Sequence, residues 1–218
     1  MNIASYIDHT QLKVDATEAD IEKACKEAIQ YHFKGLCTYT RFLPIVLKLL
    51  KGKQIIPVAV VDFPNGLASP QIKADEAKKA YEMGAQEIDM VINTDALKKK
   101  DYGLVFKGID FVVKAAPKAS IKVIIETCLL NEDEKIIASA LSKAAGATFV
   151  KTSTGFSTGG ATVEDLKLIR RVIGNDMQIK ASGGIRSWEK MKQMIDAGAD
   201  RIGSSSSVAI IEEYQKNS

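Results

Sequence analysis

Short apolar runs and longer amphipathic stretches alternate along the whole chain. Eight runs read as strands: "SYID", "GLCTY", "PVAVVDF", "EIDMVIN", "KVIIET", "TFVKTS", "QIKAS" and "RIGSS". The first is the weakest, being short and barely apolar. The others suit strands covered on both faces rather than strands with one wet face. Stretches of helical period lie between them. Over residues 17–31, Ile21, Ala24, Cys25, Ala28 and Ile29 share one stripe. Start and stop signals bracket these stretches. Thr17 opens the first. Ser69 followed by Pro70 opens another that stops at Gly84. Thr162 caps "VEDLKLIRRVI" before Gly174, and Ser187 caps "WEKMKQMIDA" before Gly198.

A faint repeat carries the same rhythm. "MGAQEIDMV", "AGATFVKTS" and "AGADRIGSS" each run from helix end through Gly-Ala into a strand. Glycine just past a helix permits the left-handed turn that ends it. Repeated βα units with apolar strands predict a parallel sheet wrapped in helices. Eight units in 218 residues predict an α/β fold closed as a (β/α)8 TIM barrel, in preference to an open doubly wound sheet. No Pro-, Ser- or charge-rich stretch divides the chain, so residues 1–218 are expected to form a single domain.

Composition narrows the function classes. With 46% apolar and 26% charged residues, the chain falls among soluble globular proteins. A net charge of +3, with no basic block interleaved with aromatics, argues against a nucleic-acid partner. Lys98-Lys99-Lys100 reads as a solvated run. Cys25, Cys37 and Cys128 are odd in number and form no Cys-x-x-Cys pair, which fits a reducing cytoplasm. The N-terminus lacks a signal pattern, and runs such as "IIPVAVV" are too short to span a bilayer, so no membrane partner is expected.

In a barrel of this kind chemistry gathers at the C-terminal ends of the strands. Asp8, Asp62, Glu126, Lys151 and Lys180 end strands, Ser204 and Ser205 follow the last one, and Cys37 and Asp89 lie within the second and fourth. A charge in a buried apolar strand is expensive without a partner. Asp89 between Ile88 and Met90, Lys151 after Val150 and Lys180 after Ile179 therefore need one another. A structural ion-pair network is one outcome, and a reactive site is the other. Two close ammonium groups repel, and with desolvation this lowers the pKa of at least one. A neutral amine is a nucleophile that condenses with a carbonyl to give a Schiff base. The protonated imine is an electron sink for an adjacent carbon–carbon bond. This chemistry needs no metal, and no metal or other cofactor is expected. "STGFSTGGAT", "SGGI" and "GSSS" follow the last three strands and precede helices. Together they predict a phosphate cradle of backbone N–H groups and hydroxyls.

Other polar residues read more plainly. His9 is expected to pack or hydrogen-bond, turned away from Asp8 by strand alternation. His32 ends a helix, and Trp188 belongs to core packing. Cys37 is a small buried hydrophobe. Glu126 either joins the network or satisfies Lys122 or a backbone amide.

"IDHTQLK", "GLCTYTRF", "EIDMVIN", "KVIIET", "KTSTGFSTGGAT", "KASGGIR" and "RIGSSS" stand in an order that resembles the deoxyribose-phosphate aldolases of the short bacterial or archaeal type. The resemblance spans nearly the whole chain. It implies a class I aldolase that reversibly cleaves 2-deoxy-D-ribose 5-phosphate to D-glyceraldehyde 3-phosphate and acetaldehyde. It implies that Lys151 forms the imine, that Lys180 tunes it, and that Asp89 relays protons through water. Asp8 and Cys37 match positions near the sugar. Gly155, Gly183, Gly184, Gly203, Ser204 and Ser205 match the phosphate cradle. A homo-oligomer, dimer or tetramer, is implied as well. One departure is Phe156, where some members carry a lysine near the phosphate. Phosphate contact then rests on backbone amides and hydroxyls, with Arg186 nearby. Tyr214 is assigned to the last helix rather than to a mobile tail. The competing readings are a Schiff-base barrel aldolase acting on keto-sugar phosphates, and a sugar-phosphate-binding barrel without catalysis.

Overall fold

In the computed structural model, which describes residues 2–216, eight parallel strands close into a barrel in chain order. The expected bounds at 1 and 218 lie outside the described residues. The strands are β1 (Ile7–Thr10), β2 (Gly35–Tyr39), β3 (Ile56–Val61), β4 (Glu87–Val91), β5 (Ser120–Ile124), β6 (Phe149–Lys151), β7 (Gln178–Ser182) and β8 (Arg201–Ser204). The helices are α1 (Glu18–Tyr31), α2 (Leu43–Leu49), α3 (Pro70–Glu82), α4 (Thr94–Lys98), α5 (Tyr102–Ala115), α6 (Glu132–Ala144), α7 (Val163–Ile173), α8 (Trp188–Asp196) and α9 (Ser207–Lys216). This is the predicted (β/α)8 TIM barrel. Among the described residues no helix is long and apolar enough to cross a membrane.

The helix signals act as read. Thr17 Oγ1 accepts the Asp20 N–H while the Asp20 carboxylate accepts the Thr17 N–H, a reciprocal cap on α1. Ser69, Thr162 and Ser187 accept the N–H groups of Ile72, Asp165 and Lys190 at the starts of α3, α7 and α8. Past the ends of α3 and α8, Gly84 (φ 106°) and Gly198 (φ 101°) take the backbone conformation that side chains disfavour.

The first strand is displaced from its expected place. Ile3–Tyr6 form a 3-10 turn, and the strand begins at Ile7. Ile3 and Ala4 are buried in the outer apolar shell, so this turn folds against the helices instead of extending the sheet. Asp8 therefore sits inside β1, paired with Gly35 on β2 and Gly203 on β8. A Cβ on Gly35 would meet Asp8 Oδ1 at 2.7 Å, so this glycine leaves room for the carboxylate. β3 and β5 stop earlier than expected. Asp62 (φ 47°) and Glu126 (φ 55°) lie just beyond them with left-handed backbones.

Two-residue alternation divides the strands between two environments. Leu36, Ala59, Ile88, Val123, Val150, Ile179 and Ile202 point outward. They share a core with helix residues such as Ile21, Ala77, Ile109, Ile169 and Met191. The inward face is split. Cys37, Val58 and Val60 form a small apolar cluster with Leu12. Asp8, Glu87, Asp89, Lys122, Lys151, Lys180 and Arg201 are the other inward, buried strand residues that carry charge. Bulky branched residues ordinarily fill such a barrel. Here much of that space holds a charge network.

Candidate active site

Asp89 is the hub of that network. Its Oδ2 accepts from Lys151 Nζ (2.7 Å) and Lys180 Nζ (2.7 Å), and its Oδ1 accepts from Lys122 Nζ (2.9 Å). Lys180 also donates to Asp8 Oδ2 (2.6 Å), and Arg201 donates to Asp8 Oδ1 (2.7 Å). Glu87 closes the circuit, with Lys122 at 2.6 Å and Arg201 at 3.0 Å. The register explains the convergence. Lys151 pairs with Lys180, Asp89 with Lys122, and Lys180 with Arg201 across neighbouring strands, so each pair faces the same side of the sheet. Lys151 ends β6, as expected. Lys180 stands mid-strand in β7 rather than at its end, level with Lys151.

The lysines differ electrically. Burial pushes the Lys151 ammonium below its ordinary pKa; Asp89 opposes this, and Lys180 adds to it by repulsion. Burial also works against charge on Lys180, but Asp8 and Asp89 outweigh it and hold that pKa above the ordinary value. Asp8 is lowered to about 2: burial favours its neutral form, and Lys180, Lys122 and Arg201 overcome that. Asp89 is held well below the carboxylate range by the same balance, with Lys122, Lys151 and Lys180 as its cations. The Cys37 thiol lies 3.9 Å from Asp89 Oδ2. Burial first, then Asp89, push it up to about 11, so it stands as a neutral thiol.

Above the network opens a cleft of about 630 Å³. Gly155, Gly183, Gly184, Gly203, Ser204 and Ser205 all line it, and Lys151 reaches it from below. The predicted cradle is thus one surface, assembled from three loops. The loops after β6 and β7 interlock: Ala161 N–H donates to Ser182 O and Gly183 O, each at 3.1 Å. Gly203 serves a second purpose. A Cβ there would lie 3.0 Å from Lys180 Cε, so its absence opens the path of that side chain. The Ser204 hydroxyl is already engaged, donating to Ile185 O and accepting from Ser206 N–H. Asp8, Cys37, Asp89 and Lys180 are wholly buried beneath the cleft. Asp8 lies within the network and the Cys37 thiol against it.

Nearby polar groups sort themselves by contact. Glu126 accepts the Thr154 N–H and hydroxyl, organising the loop after β6 instead of joining Lys122. Asp62 pairs with buried Lys73 at 3.1 Å, away from the network. His9 bonds Glu27 on α1 (2.9 Å) and stacks on Phe33, as a packed histidine should. Phe156 is half exposed, lines the cleft and meets Phe63 edge-on at 5.3 Å. Trp188 packs against Tyr214 of α9. Among the described residues no His, Cys, Asp and Glu cluster is disposed to hold a metal ion.

The alignment of this scaffold with known proteins is extensive. The model of the DeoC/LacD family aldolases matches residues 2–210. A deoxyribose-phosphate aldolase of Clostridium novyi is 55% identical over 97% of this chain and 96% of its own. The chain belongs to the DeoC/LacD aldolase family. Its activity is that of a lyase acting on carbon–carbon bonds. A deoxyribose-phosphate aldolase of Thermococcus gammatolerans is 53% identical, again over 97% of this chain and 96% of its own. A tetrameric deoxyribose phosphate aldolase from Aeropyrum pernix superposes with a TM-score of 0.91 at 32% identity, covering 99% of this chain and 92% of the other.

Three members of the aldolase network escaped the sequence reading: Lys122, Glu87 and Arg201. The signal that found Asp89 applied to each. Lys122 lies in the apolar run "IKVII", Glu87 opens "EIDMV", and Arg201 opens "RIGSS". A charge at an inward position of an apolar strand is the common mark.

Proposed function

We propose that this chain is a deoxyribose-phosphate aldolase. It reversibly cleaves 2-deoxy-D-ribose 5-phosphate to D-glyceraldehyde 3-phosphate and acetaldehyde, and it acts as one catalytic domain. The observation that carries the reading is the shared oxygen of Asp89, which holds Lys151 and Lys180 at 2.7 Å each while only Lys151 opens to the cleft. A depressed amine at the floor of a donor-lined cleft suits imine formation.

In this scheme the Lys151 amine adds to the aldehyde carbon of the open-chain sugar. Loss of water leaves the protonated imine. A water between the substrate and the Lys180–Asp89 pair takes the proton of the hydroxyl two carbons away. The C3 oxygen closes to a carbonyl as the C2–C3 bond breaks, the electron pair of that bond forms the C1=C2 double bond of an enamine while the imine nitrogen takes up its own pair, and glyceraldehyde 3-phosphate departs. The enamine carbon takes a proton back, and hydrolysis frees acetaldehyde and Lys151. The glycines and Ser205 hold the phosphate through backbone N–H groups, with Arg186 at the cleft wall. Asp8 and Cys37 complete the floor from beneath. Assembly into a dimer or tetramer belongs to the proposal and is read by sedimentation.

Mass spectrometry after borohydride reduction with acetaldehyde tests the assignment. An ethyl adduct on Lys151 is expected, and an adduct on Lys180 or Lys122 instead would overturn it. The keto-sugar phosphate reading fails if acetaldehyde far outperforms dihydroxyacetone as donor.

A further inference from the structure

The network contains four cationic side chains, Lys122, Lys151, Lys180 and Arg201, and three carboxylates, Asp8, Glu87 and Asp89. All seven are buried, Asp8, Asp89, Lys122 and Lys180 completely. With every group ionised the cluster carries one surplus positive charge. A sealed cluster sheds such a surplus by releasing a proton, since an uncompensated buried charge is costly. Lys151 is the member that lines the cleft, and it has one carboxylate partner where Lys180 has two.

Resting on the imine role proposed for Lys151, we infer that Lys122 and Glu87 are tuning residues that set how much of Lys151 stands as free amine. Neither lines the cleft. Both lie on the floor, where Lys122 bridges Glu87 (2.6 Å) and Asp89 Oδ1 (2.9 Å). Lys122 partly neutralises Asp89, which weakens the hold of Asp89 on the Lys151 proton. Glu87 in turn neutralises Lys122 and Arg201, which limits this effect. Asp89 from β4 pairs with Lys151 directly, Lys180 from β7 and the neutral Cys37 from β2 act on it at close range, and Lys122 from β5, Glu87 from β4, Asp8 from β1 and Arg201 from β8 are linked to it through Asp89 and Lys180.

The signs follow from the count. Lys122→Met leaves three cations and three carboxylates, a balance reached with Lys151 protonated. Glu87→Gln leaves four cations and two carboxylates, which drives the Lys151 proton off. The pH midpoint of borohydride trapping by acetaldehyde, followed in the full chain, reads this directly. Lys122→Met should raise the midpoint by about 1–2 pH units, and Glu87→Gln should lower it by a similar amount. The double variant Lys122→Met/Glu87→Gln should return close to the parent value. A merely structural role lowers yield or melting temperature in both variants and leaves the midpoints alone. Midpoints that stay put, or that move the same way in both, overturn the inference. If Lys122→Met does not fold, the downward shift in Glu87→Gln decides by itself. Failure of the parent chain to trap at Lys151 overturns the imine assignment and this inference together. Trapping with unmoved midpoints overturns only the inference.

Discussion

At the scale of single residues, the same side-chain type takes opposite roles a few ångströms apart. Lys151 and Lys180 share Asp89 Oδ2, yet Asp8 stands only on the Lys180 side. Lys151→Leu removes the proposed nucleophile and keeps an apolar strand. Near-complete loss of aldol cleavage with an unchanged circular dichroism spectrum is expected; normal turnover would remove Lys151 from the mechanism. Lys180→Leu deletes a repelling charge and leaves Asp89 freer to hold the Lys151 proton. Because burial is the largest cause of the Lys151 depression and persists in this variant, the trapping midpoint should rise while remaining below an ordinary lysine's pKa. Activity at pH 7 should fall and recover in part at higher pH. Gly203→Ala is a steric counterpart, since the new Cβ would crowd Lys180 Cε at 3.0 Å and Ser182 Cβ at 3.1 Å. A stability loss of about 1–3 kcal/mol is expected. Turnover should fall at least tenfold as Lys180 shifts off its carboxylates. Unchanged turnover would show that its placement is not critical.

At the scale of elements, the loops after β6 and β7 behave as one unit. A Cβ on Gly160 would come within 2.2 Å of Gly183 O, a backbone atom that cannot step aside. Gly160→Ala should therefore part the two loops. It should raise KM for the phosphorylated sugar more than for 2-deoxyribose, as steady-state kinetics would show. An equal rise for both would take these loops away from the phosphate. Phe156 belongs to the same unit, anchored through its edge contact with Phe63. Phe156→Lys gives up about 0.5–1.5 kcal/mol of aromatic contact. It adds an ammonium to the cleft wall, so a lower KM confined to the phosphorylated substrate is expected. The strand–loop boundaries follow from the same local chemistry. Glu126 turns left-handed, and its carboxylate then takes the Thr154 N–H and hydroxyl.

At the scale of the whole molecule, the charge network doubles as a stabilising core within a pH window. Asp8 has a folded pKa of about 2 against an ordinary 3.8, and Asp89 is lowered as well. Groups lowered on folding stabilise above their unfolded pKa and lose that contribution as pH falls through the folded value. The Asp8 difference corresponds to about 2 kcal/mol. Lys180 is raised, so its contribution is complete below an ordinary lysine pKa and fades above it. Urea unfolding across pH should show a plateau near neutrality and a steep loss between about pH 4 and pH 2. A flat profile through that acid range would mean that these carboxylates do not gain their partners on folding.

Periodicity and capping were enough to reveal the barrel, because strand and helix patterns depend on near neighbours in the chain. Thr17, Ser69, Thr162 and Ser187 cap helices with N–H groups three residues away, so their roles could be read locally. Lys151, Lys180 and Asp89 were legible as charges misplaced in apolar strands. The depth and partners of those charges were not. Asp8 and Lys180 meet across 172 residues, and Arg201 reaches Asp8 across 193. Such contacts depend on barrel closure and strand register, which no local pattern encodes. Only the tertiary structure placed Lys122, Glu87 and Arg201 in the same network and Glu126 outside it. Only closure revealed that Gly35 and Gly203 are small for the sake of Asp8 and Lys180. The sequence by itself determined which residues could carry charge into the barrel. The closed barrel decided which of them pair, because Coulomb interactions follow distance in space rather than distance along the chain.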